Sequence, residues 1–356
     1  MLVATLGDLL LDVIVRLEEP LAPGDDVRAR TRTGAGGQAA NVAAWAASLG
    51  ADARCIAKRG DDAASALVAA ELSRHGVELA GPIVPGATGV VVSLVGADGD
   101  RSMASDRGVA PDFEPDELES AWLECDVLHV SGYALLREPI ETTARLAARL
   151  ARERGARVSV DVAAWTEIRT YGPVRFREVL DELAPDVLFA TEAEWEMLGG
   201  AYLAAPTGVI KRGARGCVVV TEDARLDLAP VSAEVVDTTG AGDALAAGFL
   251  LGGSLEEAAR RGLEAAARCV ARVGSMPRPS SRGAQITRAP SRGGTTSRRT
   301  TSTTSRRTRT TRRSSSTRHG GRDTARCSAA TGRSRRSGSS GRTATRWRSG
   351  SGCAPT

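Results

Sequence analysis

Asp237-Thr-Thr-Gly-Ala-Gly-Asp243 is the stretch that decides the fold, and it runs directly into the apolar stretch Ala244-Leu-Ala-Ala-Gly-Phe-Leu250. Gly240, Ala241 and Gly242 are small, so they leave backbone N–H groups open to a ligand. They stand where the apolar stretch predicts that a helix begins, and the first N–H groups of a helix have no partner within it. These groups and the helix dipole attract negative charge, so the sequence predicts an anion site at this turn.

Asp243 is the acid at the end of this turn. A carboxylate beside an anion site repels phosphate unless it has a task there, and accepting the proton of an attacking hydroxyl group is such a task. The sequence therefore makes Asp243 a candidate general base in phosphoryl transfer. The alternative is a plain glycine-rich turn in which Asp243 caps the helix, which is a frequent use of Asp.

A second glycine-rich stretch, Gly34-Ala-Gly-Gly-Gln-Ala-Ala-Asn41, leads into another predicted helix. Gly36 and Gly37 permit close approach of a ligand to the backbone, and the Asn41 amide could bind a polyol. The stretch is not a P-loop, because it lacks the Gly-x-x-x-x-Gly-Lys-Ser/Thr pattern. An ordinary turn between a loop and a helix is the alternative.

A third stretch, Gly7-Asp-Leu-Leu-Leu-Asp12, follows the first predicted strand. Parallel sheets bind ligands at the carboxyl ends of their strands. Asp12 could there accept hydrogen bonds from two sugar hydroxyl groups. The alternative is an acid in a simple turn at the end of a strand.

Short apolar runs alternate with alanine-rich helical stretches along most of the chain. Val127–Val130 and Val158–Val160 are typical of buried strands, and Ile140–Arg154 between them is typical of a helix. This order predicts an α/β fold with a mostly parallel sheet. The segments 13–33 and 89–105 instead alternate polar and apolar residues around turns. They predict a small antiparallel sheet that projects as a lid over a ligand, with peripheral hairpins as the alternative.

The last part of the chain, residues 278–356, differs from the rest in composition. It holds 20 arginines, no lysine and one acid, Asp323. Because the whole chain has 47 basic and 43 acidic residues, residues 1–277 hold 27 basic and 42 acidic residues, a net charge of −15. The tail has almost no large apolar residues, so it is predicted to be disordered. It is either a basic arm for nucleic acid or a tail without an evolved role, of the kind produced when a GC-rich coding region is read in a shifted frame.

Cysteines and apolar runs bear on the cellular compartment. The six cysteines form no Cys-x-x-Cys pair, which argues against a disulfide framework or a zinc site and for a reducing compartment. The N-terminal stretch Met1–Val15 lacks a basic leader and is interrupted by Asp8 and Asp12, so it is predicted to be a strand and its exit rather than a signal peptide. The sequence contains no uninterrupted apolar run of about 18 residues, so no membrane span is predicted. These features predict a cytoplasmic protein.

Together the motifs resemble those of one family. Asp237–Asp243 is similar to the C-terminal signature of the ribokinase-like (PfkB) carbohydrate kinases, and Gly36–Asn41 is similar to their N-terminal glycine motif. Order and spacing match over residues 1–277. The resemblance implies a three-layer α/β/α domain with a mostly parallel sheet and a β-sheet lid, and transfer of the γ-phosphate of ATP to a sugar or sugar-like alcohol. It also implies ATP and Mg²⁺ as cofactors, with K⁺ as a further cation. A lid sheet could in addition pair two copies into a homodimer.

The resemblance also implies roles for particular residues around the transferred phosphate. Asp243 would be the catalytic base. The amides of the turn would form the anion hole: Gly240, Ala241 and Gly242. The sugar-binding positions of the family match four residues: Asp12, Gly36, Gly37 and Asn41.

Further roles concern the nucleotide and cations. Glu194 matches the acid that orders Mg²⁺ through water, with a solvated helix acid as the alternative. The turn over the nucleotide matches three residues: Lys211, Gly213 and Gly216. The positions that hold a monovalent cation in some members match two residues: Asp237 and Thr239.

Some residues depart from the family pattern or narrow the acceptor. Thr191 replaces the usual Asn three residues before the Mg²⁺-ordering acid. Leu10 and Gly132 stand where ribokinases place polar sugar contacts, so ribose is not the expected acceptor. Arg101 and Arg107 resemble lid residues of sugar-specific members. A nucleoside kinase of the adenosine type and a non-catalytic sugar-binding protein on the same fold are the alternatives.

Overall fold

Buried apolar runs form the strands of a central sheet, and alanine-rich stretches form most of the helices that cover it. The computed structural model describes residues 1–96, 101–200 and 205–279. The tail that was predicted to be disordered lies outside the described residues, apart from residues 278 and 279. In chain order the strands of the described part are β1 (Leu2–Leu6), β2 (Leu10–Leu17), β3 (Ala29–Gly36), β4 (Asp52–Ile56), β5 (Arg59–Gly60), β6 (Val77–Ala80), β7 (Ile83–Val84), β8 (Thr88–Val95), β9 (Arg101–Gly108), β10 (Val127–Ser131), β11 (Arg157–Asp161), β12 (Val187–Thr191), β13 (Thr207–Lys211), β14 (Cys217–Val220) and β15 (Arg225–Leu228). The α-helices of the same part are α1 (Gln38–Ser48), α2 (Ala63–Arg74), α3 (Ile140–Glu153), α4 (Trp165–Tyr171), α5 (Pro173–Leu183), α6 (Glu192–Met197), α7 (Ala241–Leu250) and α8 (Leu255–Val270).

The strand order determines where a ligand can bind. Nine of the described strands form the central sheet in the order β15-β14-β13-β12-β11-β10-β1-β4-β6. The strands from β13 to β6 run parallel, while β14 and β15 extend one edge as antiparallel neighbours. From β1 the chain first adds β4 and β6 on one side, and it later continues at β10 on the other. Sheets of this kind bind ligands outside the carboxyl ends of the strands that flank such a switch in order.

Helices cover both faces of this sheet. Successive residues of a strand point to opposite faces. Val3 accordingly packs in the cluster that contains residues of α1, α2, α7 and α8, whereas Ala4 packs in the cluster that contains residues of α3, α5 and α6. The result is the three-layer α/β/α architecture that the family resemblance implied.

A second sheet, which we call the lid sheet, consists of four described strands in the order β3-β2-β8-β9. The pairs β2–β3 and β8–β9 are antiparallel hairpins, but the central pair β2–β8 is parallel. The prediction of an antiparallel lid was therefore wrong for the central pair. Each hairpin leaves the main domain and returns to it, so the two outgoing strands lie side by side and run in the same direction.

The predicted helix Ile140–Arg154 begins at the first residue of α3 and extends one residue beyond its last, a scatter that is usual for helix ends. The sequence did not indicate α4 or α5, or the strands β6 and β15. Helix α5 begins at Pro173 directly after Gly172, a pair that is typical of loops, and it is held by the buried side chains of Phe176 and Leu180. Among the described residues, no helix is long and apolar enough to cross a membrane.

Candidate active site

Helix α7 begins inside the signature motif. Gly240 is its N-cap with a φ of 76°, a left-handed conformation that suits glycine. A Cβ atom on Gly240 would lie 2.6 Å from the Cβ of Ser275, so only glycine fits. The helix starts at Ala241, which makes Asp243 its third residue rather than its cap. The alternative in which Asp243 caps the helix is therefore wrong.

Helices α1 and α7 bring Asn41 and Asp243 into contact. The Asn41 Nδ2 donates a hydrogen bond of 2.7 Å to Oδ2 of Asp243. Asn41 is buried, and its Oδ1 has no hydrogen-bond partner among the described residues. Burial raises the pKa of Asp243, and the bond from Asn41 and the charge of Lys211 partly offset that rise. The amide that the resemblance assigns to the sugar thus also holds the candidate base.

A buried ion pair lies beside the first turn of α7. Lys211, at the end of β13, donates to both carboxylate oxygens of Asp161, at the end of β11, over 2.6 and 2.7 Å. Asp161 is 0% exposed. Burial raises its pKa although the Lys211 ammonium opposes the shift. A Cβ atom on Gly242 would lie 3.3 Å from the Lys211 Nζ, so the ammonium group adjoins the predicted anion site.

Glu194 is held in a capping box at the start of α6. Its Oε2 accepts a hydrogen bond of 2.7 Å from the Thr191 N–H, and its own N–H donates to the Thr191 Oγ1 at 3.3 Å. Glu194 is buried, so the alternative of a solvated helix acid is wrong. For Lys211, burial lowers the pKa, but the charges of Asp161 and Glu194 outweigh that effect and raise it. Glu194 therefore interacts electrostatically with Lys211, together with Asp161. Its role toward Mg²⁺ stays a prediction.

Asp12 lies in the lid sheet, as the third residue of β2, rather than at the end of the first strand. Its carboxyl group covers Gly36, where a Cβ atom would come within 2.2 Å of the Asp12 Cγ. Gly37 has a φ of 94°, and a Cβ atom there would lie 2.3 Å from the backbone oxygen of Asp8. Both glycines are thus required by close packing in the fold, and the Asp12 carboxyl group is set by one of them.

Burial and, to a smaller extent, charged neighbours set the pKa of Asp12. Its pKa is raised to about 6, mainly by burial. The positive charge of Arg101 opposes this rise, while the negative charges of Asp243 and Glu71 add to it. Asp12 and Asp243 are therefore electrostatic neighbours, as expected if they face one acceptor.

The lid sheet is tied to the end of β1 by an ion pair. The Arg107 guanidinium donates from Nε to the Asp8 Oδ2 at 2.7 Å and from Nη2 to the Asp8 Oδ1 at 2.9 Å. The same Nη2 donates to the backbone oxygen of Tyr133 at 3.1 Å. Bidentate ion pairs between arginine and a carboxylate fix the orientation of the two groups as well as their distance. One end of the lid sheet is thus fixed at the switch in strand order.

Asp237 and Thr239 form the turn that precedes α7. The Asp237 Oδ1 accepts hydrogen bonds from the N–H and the hydroxyl group of Thr239 at 2.9 and 2.6 Å. Its Oδ2 accepts one from the Gly274 N–H at 2.9 Å. The Arg101 side chain of the lid sheet lies against these two residues, and their role toward a monovalent cation stays a prediction.

A cavity of about 490 Å³ adjoins the first turn of α7, where Ala241 and Gly242 line it. Lys211, Gly213 and Gly216 line one wall, and Gly216 is needed because a Cβ atom there would lie 2.1 Å from the backbone oxygen of Leu228. The remaining walls include six apolar side chains: Val231, Val235, Leu245, Leu263, Ala266 and Val270. An apolar slot beside a helix start fits a nucleotide, with its base among the apolar groups and its phosphates at the N–H groups.

Asp161 is the site residue that sequence reasoning missed. It ends the buried run Val158–Val160 as an acid at the carboxyl end of a parallel strand. The same rule that singled out Asp12 would have identified it. Its partner Lys211 is 50 positions away, with β12 between their strands, so the pairing itself has no local signal.

Comparisons with known proteins show the family of the chain. The sequence profile described as "pfkB family carbohydrate kinase" matches residues 1–281. An ATP-dependent ribose-1-phosphate kinase from Halopiger xanaduensis is 34% identical over 280 residues, which is 75% of this chain and 90% of that protein. A cytidine kinase from Thermococcus kodakarensis is 32% identical over 253 residues, 65% of this chain and 86% of that protein.

A solved structure supports the same conclusion. The crystal structure of adenosine kinase from Sinorhizobium meliloti superposes with a TM-score of 0.69 at 26% identity, covering 80% of this chain and 98% of that one. Three layers, a lid sheet and a helix start at the strand switch thus define a ribokinase-like fold. The chain belongs to the pfkB family of carbohydrate kinases, which confirms the resemblance. It is an ATP-dependent kinase of a sugar or nucleoside.

Proposed function

We propose that this kinase transfers the γ-phosphoryl group of ATP to a hydroxyl group of a sugar or sugar-like alcohol, with Asp243 as the general base. One observation carries the proposal: the 2.7 Å bond from Asn41 sets the Asp243 carboxylate in the first turn of α7. That turn is where the N–H groups and the dipole of the helix attract a phosphoryl group. A base and an anion site therefore share one helical turn.

The transfer follows from this placement. As the acceptor oxygen bonds to the γ-phosphorus, its proton moves to the Asp243 carboxylate, and the bond from phosphorus to the β-phosphate oxygen breaks with its electron pair leaving on ADP. The amides of Gly240, Ala241 and Gly242 are the candidate donors to the phosphoryl oxygens. The Lys211 ammonium, next to Gly242, adds positive charge at the same place. Because burial raises the pKa of Asp243, its ionised form is a stronger proton acceptor than an ordinary carboxylate.

The nucleotide would occupy the cavity lined by Lys211, Gly213 and Gly216. Mg²⁺, when bound, would supply positive charge that offsets the negative charge of the ATP phosphates. Among the described residues no cluster of three metal-binding side chains is present. The buried carboxylate of Glu194 fits a metal that is held mainly by phosphates and water, because Mg²⁺ is commonly bound through one or two carboxylates.

Asp12 and Asn41 are the candidate contacts to the acceptor. A carboxylate and an amide suit the hydroxyl groups of a sugar, and Asp12 is the electrostatic neighbour of the base. The ribose-1-phosphate kinase relative makes a phosphorylated pentose one acceptor to test. A nucleoside is the second candidate, because the relatives include a cytidine kinase and an adenosine kinase.

An acceptor screen tests the proposal. Release of ADP from ATP and Mg²⁺ is followed with ribose, ribose-1-phosphate, fructose, adenosine and cytidine, and the rate without acceptor is subtracted. We expect one sugar or sugar phosphate to give a kcat/KM of about 10⁴ M⁻¹ s⁻¹ or more, within the usual range of enzymes. Preference for a nucleoside would establish the second candidate. Binding of a sugar without acceptor-dependent ADP release would instead support the non-catalytic alternative.

A further inference from the structure

The side chain of Arg101, the first residue of β9, joins the lid sheet to the turn before α7. Its Nη1 donates to the Thr239 hydroxyl group and lies 3.7 Å from the Asp237 Oδ1. Its Nη2 donates to the Ser93 Oγ of the adjacent strand β8 at 2.9 Å. Ser93 is 3% exposed, and the Asp237 side chain is 17% exposed. The guanidinium group is therefore held from both sides in a partly desolvated place.

These are the residues on which the resemblance placed a monovalent cation, and the observed contacts do not fit one. A bound K⁺ needs oxygen atoms that replace its water shell. The Asp237 Oδ1 already accepts two hydrogen bonds from Thr239, and its Oδ2 accepts one from Gly274. The Thr239 oxygen accepts the Arg101 N–H. A second positive charge at this place would also be repelled by the guanidinium group.

We propose that Arg101 is a built-in replacement for the monovalent cation, so that the kinase needs no K⁺. The inference rests on the proposed function and names a positioning residue for it. Arginine suits this task because its planar group donates in two directions at once, whereas a lysine acts as a point charge. It is also always charged at physiological pH.

The Arg101 guanidinium group acts on the anion site through Asp237. The Asp237 carboxylate accepts the hydrogen bonds from Thr239 and Gly274, and the Arg101 Nη1 lies 3.7 Å from its Oδ1. The ionised carboxylate fixes the Thr239 N–H directly before Gly240, the cap of α7. The positive charge of Arg101 also balances the Asp237 charge, which would otherwise repel a phosphoryl group at the helix start.

The test measures how kcat/KM depends on K⁺ in the wild type, in Arg101→Met and Arg101→Lys, and in the control Arg30→Met. Arg30 is an exposed lid-sheet arginine that pairs with Glu18 at 3.1 Å. Tetramethylammonium chloride replaces KCl at a constant ionic strength of about 0.15 M, which holds screening fixed. We expect kcat/KM of the wild type and of Arg30→Met to be independent of K⁺. Without K⁺, Arg101→Met should lose about 10- to 100-fold, the value of one hydrogen bond to a charged group, and added K⁺ or guanidinium should restore part of it.

A second measurement does not depend on activity. If K⁺ takes the place of the missing side chain, the unfolding temperature of Arg101→Met rises with K⁺, while that of the wild type does not. Arg101→Lys retains the charge, so it should keep K⁺ independence even if Arg101→Met folds poorly. A wild type that requires K⁺, or an Arg101→Met variant with full activity in its absence, overturns the inference. A wild type without acceptor-dependent ADP release at any salt concentration contradicts the proposed function instead.

Discussion

Replacing Asn41 by Leu should shift the acid side of the pH–rate profile. Leucine has nearly the shape of asparagine, but it cannot donate to the Asp243 Oδ2 that Asn41 now contacts at 2.7 Å. That bond favours the ionised carboxylate and is one of the two effects that lower the pKa of Asp243 against its burial. Without it, the base becomes protonated at a higher pH, so activity is lost earlier as the pH falls.

The size of the pKa shift follows from the charge of the Asp243 carboxylate, which accepts the hydrogen bond. A hydrogen bond to a charged group contributes about 1.5–3 kcal/mol. One pKa unit corresponds to about 1.4 kcal/mol, so the acid limb should move up by about 1–2 pH units. Stability should change little, because the loss of this bond is opposed by removal of the buried Asn41 Oδ1, which has no partner among the described residues.

The assay is kcat/KM for the acceptor from pH 5 to pH 9 at saturating ATP and Mg²⁺, because this ratio reports the ionisation of the enzyme form that binds the acceptor, here the ATP complex. Ser48→Ala is the matched control, since Ser48 lies on the same helix and its hydroxyl group donates to the Trp45 oxygen one turn earlier at 2.8 Å. A lower rate at every pH would mean that Asn41 contacts only the acceptor. An acid limb that stays in place in Asn41→Leu would refute the link between Asn41 and the base.

Three further predictions concern packing, the ion pair and the acceptor. Gly37→Ala should lower the free energy of unfolding by about 1–3 kcal/mol or more, measured by urea denaturation, because its φ of 94° and the 2.3 Å approach to the Asp8 oxygen both exclude a Cβ atom; an unchanged midpoint would contradict this. Lys211→Met should lower the free energy of unfolding by about 3–5 kcal/mol, because it leaves the buried Asp161 carboxylate unpaired. Adding Asp161→Leu should recover part of this loss, and an equal or larger loss in the double variant would argue against the pairing. Because the pKa of Asp12 is about 6, the carboxylate is lost as the pH falls through that value, so KM for the acceptor should rise below about pH 6. Asp12→Asn should have a high KM at all pH values, and a KM with the wild-type pH dependence would exclude this role.

The glycine motifs made the active turn predictable because a required glycine is visible in the sequence, even where the group that excludes a Cβ atom lies far along the chain. Gly240 needs a left-handed φ at a helix start, and Gly37 needs a close approach to backbone, and both requirements leave glycine in the sequence. Asn41 and Asp243 each stood out at the start of a predicted helix. That they touch could not be predicted from spacing, because the packing of α1 against α7 is set by the whole sheet.

The remaining features depend on contacts between distant segments. The parallel pairing of β2 with β8 joins two hairpins that are distant in sequence, so the direction of the pairing follows from their shared exit from the main domain and not from a local pattern. The pair Lys211–Asp161 spans an intervening strand. Arg101 was noted as a lid residue, but its contact with Thr239 requires the lid sheet to fold back over the turn before α7.

The catalytic rate of Asp243→Asn tests the central claim most directly. Amide replaces carboxylate with almost no change in shape, so the helix start and the nucleotide cavity should remain, and KM for ATP should stay near that of the wild type. General-base assistance is typically worth about 10²–10⁴-fold, and we predict a fall in kcat of that size. The control is Asp223→Asn, at an exposed acid, which should leave kcat unchanged. An Asp243→Asn enzyme whose kcat is equal to that of the wild type would contradict the role of Asp243 as the base.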